Sequence, residues 1–177
     1  MNAGKLDTLV SIVSYNDESG EWVAVRDVWA AKEQLTKTNV FSKIGFGTDS
    51  VKFTIRSTDL TMHNAIQYGG YHYIITDTEH NEGRYMVLTT AKVRLTDVSR
   101  GPNAGSFKAI LTEKWNGYAT DAAKSTNSDR LVMVVPKSVT VSVNDVLDIE
   151  GSYWYAEIQH ELDEFKNEYE IVRWREY

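Results

Sequence analysis

Cysteine is absent from this sequence of 177 residues, and proline appears only twice. Without cysteine there is no disulfide framework, thiolate zinc site, iron–sulfur cluster or cysteine nucleophile. That usage is compatible with a reducing cytosol. No apolar run approaches the roughly 18 residues of a membrane-spanning helix. The opening residues, Met1 to Asp7, lack the long apolar core of a secretory signal. The expectation is a soluble chain made in the cytosol, with no membrane partner. Bases are also in deficit, 19 against 25 acids, for a net charge of −6. Proteins that grip nucleic-acid backbones usually carry a basic surplus. The deficit is local: Val141 to Tyr177 holds 10 acids and 3 bases, while the rest of the chain sums to +1.

Catalytic patterns are missing as well. No Gly-x-Ser-x-Gly elbow, Walker loop or dinucleotide fingerprint occurs. Of the histidines, His63, His72, His80 and His160, His72 reads as a surface or edge residue between Tyr71 and Tyr73. A His72–His80 pair fits no metal-ligand pattern. Glu157, Glu161, Asp163, Glu164, Glu168 and Glu170 offer carboxylates for an acid–base pair. Their turn and alternating strand positions make a solvated acidic face the better reading. The expectations are no catalytic residue, no metal ligand, no cofactor and a function other than catalysis.

What is present is a soluble globular composition, 42% hydrophobic and 25% charged, with 5 Trp and 10 Tyr. The length fits one large domain or two small ones. Period-2 alternation dominates, which predicts an all-β protein of antiparallel strands. Leu6 to Tyr15, a polar turn at Asn16 to Gly20, and Trp22 to Ala31 read as a first hairpin. Val51, Phe53 and Ile55 share one face of a strand. Ile66 to Tyr68, Gly69-Gly70 and Tyr71 to Thr76 form a hairpin signal, because Gly-Gly accepts the positive φ of a two-residue turn. Arg84 to Leu95 follows as another extended run.

Residues 96–106 concentrate turn formers and include Pro102, so a linker is placed there between a barrel or sandwich at 1–95 and a second β region at 107–177. In that second region Phe107 to Trp115, Val146 to Glu150, Tyr153 to Ile158 and Glu168 to Arg175 read as extended. Val139, Val141 and Val143 alternate with polar residues. Ala122-Ala123-Lys124 is a candidate short helix inside a polar loop. A shift of 81 residues lays Gly70 on Gly151, Tyr73 on Trp154, Val51 on Val132 and Arg56-Ser57 on Lys137-Ser138. The second region is therefore a candidate degenerate repeat of the first.

One stretch, 32–50, resists a strand reading. Loops of roughly 15–20 residues inside a compact domain are uncommon and often functional. It mixes Lys37 and Lys43 with Val40, Phe41, Ile44 and Phe46, and its tip is Gly45-Phe46-Gly47. A short packed helix is the alternative for its first half.

Several short motifs, in order, resemble the head–tail joining family of tailed bacteriophages, the head-closure or stopper proteins. They are Gly4-Lys5-Leu6, Trp22, Val28-Trp29-Ala30, Val51 to Arg56, Ile66 to Gly70 with Tyr73-Ile74-Ile75, and Arg84 to Leu88. The chain departs from the family pattern at Asp7-Thr8, where a basic residue is usual, at Tyr71, where arginine is common, and in carrying 96–177 at all. The resemblance implies a small β-barrel forming a ring homo-oligomer in the virion neck, made in the host bacterial cytoplasm. Such a ring sits between the portal or adaptor ring and the tail terminator or tail-to-head joining protein. It closes the capsid channel, retains DNA that passes it non-specifically, and offers the tail a docking surface.

On that basis the channel-facing loop is 32–50, with Lys37, Val40, Phe41, Lys43, Ile44 and Phe46 as its candidate residues. Its apolar members would occlude the channel by associating with their ring copies. Glu157, Glu161, Asp163 and Glu164 are the candidate partner-docking residues, with charge setting orientation. The alternative is a β-sandwich binding carbohydrate or a receptor through exposed aromatics such as Trp154 or Tyr155. A third reading, a hydrolase using the C-terminal carboxylates, would lose activity on Glu161→Gln.

Overall fold

The computed structural model describes residues 6–35, 49–81, 83–101, 105–113, 130–161 and 163–174. Among them there is no helix, hence none long and apolar enough to cross a membrane. Their strands form two closed antiparallel barrels of six strands each. The chain divides into two compact units between Arg94 and Leu95.

Barrel 1 comprises β1 (Thr8–Asn16), β2 (Glu21–Gln34), β3 (Ser50–Arg56), β4 (Asn64–Tyr68), β5 (Tyr71–Asn81) and β6 (Tyr85–Val93). Around the barrel they run β1-β2-β3-β6-β5-β4, and β4 closes onto β1. The first turn forms because the Asn16 side chain accepts the amides of Glu18 and Ser19 at 2.9 and 3.1 Å. Gly20 then supplies a φ of 69°. Alternation on each strand sends Val10, Ile12, Phe53, Ile55, Ile66, Tyr73, Ile75, Met86 and Leu88 into one core. Each such side chain contributes roughly 1.5–3 kcal/mol when fully buried. Leu60 and Met62, in the connection between β3 and β4, pack against that core.

Barrel 2 comprises β7 (Leu95–Ser99), β8 (Ser106–Glu113), β9 (Arg130–Pro136), β10 (Val146–Ile149), β11 (Ser152–His160) and β12 (Lys166–Arg173). Its order is β10-β11-β12-β9-β8-β7, with β7 closing onto β10. Replacing each strand number of barrel 1 by the number six higher gives the same set of neighbours. The registers agree too. Tyr68 faces Tyr71 across the β4–β5 turn, and 81 residues later Ile149 faces Ser152. The bulge that leaves Thr76 unpaired on β5 recurs at Glu157 on β11. Phe53 faces Leu88, and Met133 faces Tyr169. The second β region is thus a structural repeat of the first.

Four features differ from the sequence reading. The linker expected at 96–106 is the hairpin of β7 and β8, joined at its turn by Arg100 N donating to Gly105 O at 3.2 Å. Gly101 and Gly105, with φ of 89° and 77°, flank the turn of a hairpin within the second barrel. The expected loop 32–50 is shorter, because Ala30 to Gln34 pair with Val51 to Ile55 and carry the ladder into its first residues. At β9 the offset slips by one, so Val51 corresponds to Leu131 and not to Val132, and Arg56 to Pro136. The alternating Val139, Val141 and Val143 lie in no strand. Val139 and Val141 are buried and Val143 is exposed. Asn167 holds this segment by donating to the carbonyls of Lys137 and Val139 at 3.0 and 2.9 Å. The buried Tyr169 hydroxyl accepts the Val141 amide at 3.0 Å.

Candidate functional site

The end of β2, the start of β3, the β4–β5 turn and the end of β6 meet at one mouth of barrel 1. The chain leaves β2 there at Leu35 and returns at Asp49. The neck is tied by Leu35 N donating to Ser50 O at 2.9 Å and by Lys92 N donating to Asp49 O at 3.0 Å. Between these elements lies a pocket of about 290 Å³. Its deep side is Val51 and Tyr73, both buried, and its walls include Tyr68 and Gly69. Lys32, Gln34, Asp49, Tyr71 and Lys92 complete the lining.

The aromatic residues are held from below. Phe53 meets Tyr73 and Tyr68 edge-on, with ring centroids 5.4 and 6.2 Å apart. Above them, Lys92 Nζ lies 3.4 Å from the centre of the Tyr71 ring and Lys32 Nζ 4.8 Å from that of Tyr68. An ammonium over a ring face is attracted to it but keeps its charge and outward N–H donors. Among the described residues neither lysine forms an ion pair. Burial, then the neighbouring Tyr68, Tyr71 and Asp49, raise the Tyr73 pKa, so its hydroxyl stays protonated. The Gly69-Gly70 turn, with φ of 59° and 77°, adds no side chain to the rim.

The expected channel residues Lys37, Val40, Phe41, Lys43, Ile44 and Phe46 lie outside the described residues, as does Ala122-Ala123-Lys124. Their segment, 36–48, is rooted at this mouth. The four expected docking acids all lie in barrel 2 and are variously engaged. Glu157 takes both ends of the Arg130 guanidinium at 2.5 and 3.1 Å. Glu161 accepts from Gln159 at 2.8 Å. Asp163 caps the β11–β12 turn, accepting the amides of Phe165 and Lys166 at 2.7 and 3.0 Å. Glu164 is exposed. Among the described residues no group of three His, Asp or Glu could hold a metal ion. His72 and His80 sit eight positions apart on β5, on the order of 25 Å.

Two sequence readings are corrected by burial. His72 is 8% exposed, not a surface residue. Its ring meets that of Trp22 edge-on at 4.6 Å, and desolvation lowers its pKa to about 4. Trp154, offered as an exposed aromatic, is 7% exposed and belongs to the barrel 2 core, while Tyr155 is half-buried. Among the described residues, the exposed aromatics of that barrel are Tyr153 and Trp174. The lysine–tyrosine pocket escaped the sequence because its members come from five strands and only the topology brings them together. The tyrosines flanking Gly69-Gly70 were its one visible sign. Comparison of the chain with protein-family models, curated proteins and solved structures finds no match.

Proposed function

We propose that this chain is a structural connector of a virion neck, forming a ring between the portal or adaptor ring and the tail. Through its 36–48 segment it closes the channel to retain DNA. The observation that carries the reading is the mouth of barrel 1. A closed barrel is a rigid support, and the segment that the motif order aligns with the family's channel loop leaves and re-enters it through a hydrogen-bonded neck. A stopper needs that combination, a fixed wall with one projecting segment repeated around an axis. Barrel 2, which supplies most of the net negative charge, is the docking side toward the neighbouring ring.

Deleting Val40 to Gly47 tests the loop. The Leu35–Ser50 bond lies outside the deletion, so the barrel stays folded, and the expected heads leak DNA or fail to take tails. Normal DNA retention and tail attachment with the deletion would remove the loop from the function. Cross-linking in assembled particles tests the location, with the portal or adaptor ring and the first tail component as expected neighbours.

One observation favours the alternative, a carbohydrate- or receptor-binding module. Tyr153 and Trp174 are 57% and 50% exposed, and Trp174 N donates to Tyr153 O at 2.8 Å, so the two sit side by side on a sheet face. Aromatic platforms of this kind can stack against sugar rings. Glycan-array binding that is lost in Tyr153→Ala and Trp174→Ala would favour this reading over the connector.

A further inference from the structure

We propose that the mouth of barrel 1 is a phosphate-binding pocket, in which Lys32 and Lys92 hold the anion and Tyr68 and Tyr71 donate to it. The site stands on its own residues and does not rest on the connector reading.

The first support is charge. Two ammonium groups line a pocket of about 290 Å³ in a chain of net charge −6. Each is steered by a tyrosine ring and by no carboxylate partner among the described residues. Among the described residues Asp49 is the one acid in the lining, which leaves their sum at +1. The second support is the excess of donors. Two ammoniums, the phenol hydroxyls of Tyr68, Tyr71 and Tyr73 and the Gln34 amide line the pocket, and their N–H and O–H donors outnumber the acceptor oxygens of the same lining. A phosphate, with three or four acceptor oxygens, answers that set more fully than a two-oxygen carboxylate. The volume lies at the small end of ligand pockets, enough for a phosphate and an attached sugar.

The third support is the internal repeat. Register places Leu111 where Lys32 stands, Ile149 where Tyr68 stands and Ser152 where Tyr71 stands. Arg173 takes the place of Lys92 and donates to Ser152 at 3.3 Å, as Lys92 sits on Tyr71. The same barrel therefore closes with leucine, isoleucine and serine at these positions. The fold does not require Lys32, Tyr68 or Tyr71, and a ligand accounts for them.

A phosphate can arrive as a free monoester or within a nucleic-acid backbone, and titration separates the two. The full chain is titrated with inorganic phosphate, thymidine 5′-monophosphate and a short single-stranded oligonucleotide, read by tyrosine fluorescence and calorimetry. Saturable binding of phosphate and the mononucleotide assigns a small ester; binding of the oligonucleotide alone, weakening steeply with salt, assigns the backbone. In either case Lys32→Gln with Lys92→Gln should weaken binding by at least about tenfold, while Lys108→Gln in barrel 2 leaves it unchanged. A second variant, Lys32→Leu with Tyr71→Ser, installs residues barrel 2 already carries and should lose binding with its circular dichroism intact. No binding of any probe, or binding that persists in both folded variants, overturns the proposal.

Discussion

The two barrels share six ladders, a turn and a bulge, yet they fill their interiors differently. In barrel 1 the facing pair on β3 and β6 is Phe53 and Leu88; in barrel 2 it is Met133 and Tyr169, so the aromatic ring has crossed to the opposite strand. On the neighbouring strand Tyr73 and Ile75 become Trp154 and Ala156, a larger ring with a smaller partner. The first exchange roughly conserves volume, which is the condition for a core to tolerate substitution, while the second leaves less side chain at its two positions. Polar positions follow no such rule. Met86 in the first core corresponds to Asn167 in the second, where its amide holds the segment below β9. The backbone constrains total volume and register, and leaves the chemistry at mouth and base free to diverge.

The largest effect expected from perturbing this pairing is in the cores. Phe53→Ala should cost about 3–5 kcal/mol in urea unfolding, because the ring's space stays empty. Phe53→Met and Leu88→Phe should each destabilise, the second by overpacking. Together they should cost less than the sum of the two, since they rebuild the arrangement of barrel 2. Simple additivity would mean that the two cores are not interchangeable solutions.

His72 marks the next difference, for its counterpart Tyr153 is exposed. Its folded pKa of about 4 lies below the unfolded 6.5, so the unfolded chain takes the proton first. The stability it contributes is whole above pH 6.5 and is lost as pH falls toward 4, roughly 3 kcal/mol in all. Urea midpoints compared between pH 7 and pH 4.5 should fall less in His72→Phe than in the parent chain. Tyr153→His should add no comparable acid sensitivity.

Tyr169→Phe removes the acceptor of the buried Val141 amide and should cost about 1–3 kcal/mol. Leu88→Met, at the equivalent place, conserves volume and should cost under about 1.5 kcal/mol. The smallest effect is in the turns. Gly69 has φ 59° and its counterpart Glu150 has φ 52°. Glu150→Gly should therefore stabilise barrel 2 by up to about 1 kcal/mol and Gly69→Glu destabilise barrel 1 similarly, by thermal melting.

The turns and hairpins were legible because their chemistry is local. Asn16 to Gly20 and Gly69-Gly70 announce themselves by residue type. The repeat was legible for the same reason, since both copies of the β4–β5 hairpin sit at one offset. β9 was not, because Val132 to Val135 are all buried and show no alternation. β7 carries turn-like residues and is a strand only through its partners on β8 and β10. Val139 and Val141 imitated a strand because two valines of an irregular segment insert into the core. His72 looked like a surface residue because nothing near it in sequence shows that Trp22 comes to rest against it.

The strand order has a consequence for synthesis. In barrel 1 the strand that bridges β3 and β5 is β6, the last to be made, so the ring of hydrogen bonds cannot close before Val93 has emerged. In barrel 2 the corresponding strand is β12. Until then β3 and β9 each present an unpaired edge, the kind that nascent chains pair wrongly. Translation therefore gives the first barrel a head start, and a ribosome stalled shortly after Arg94 clears the exit tunnel should hold one finished barrel and an unfinished hairpin.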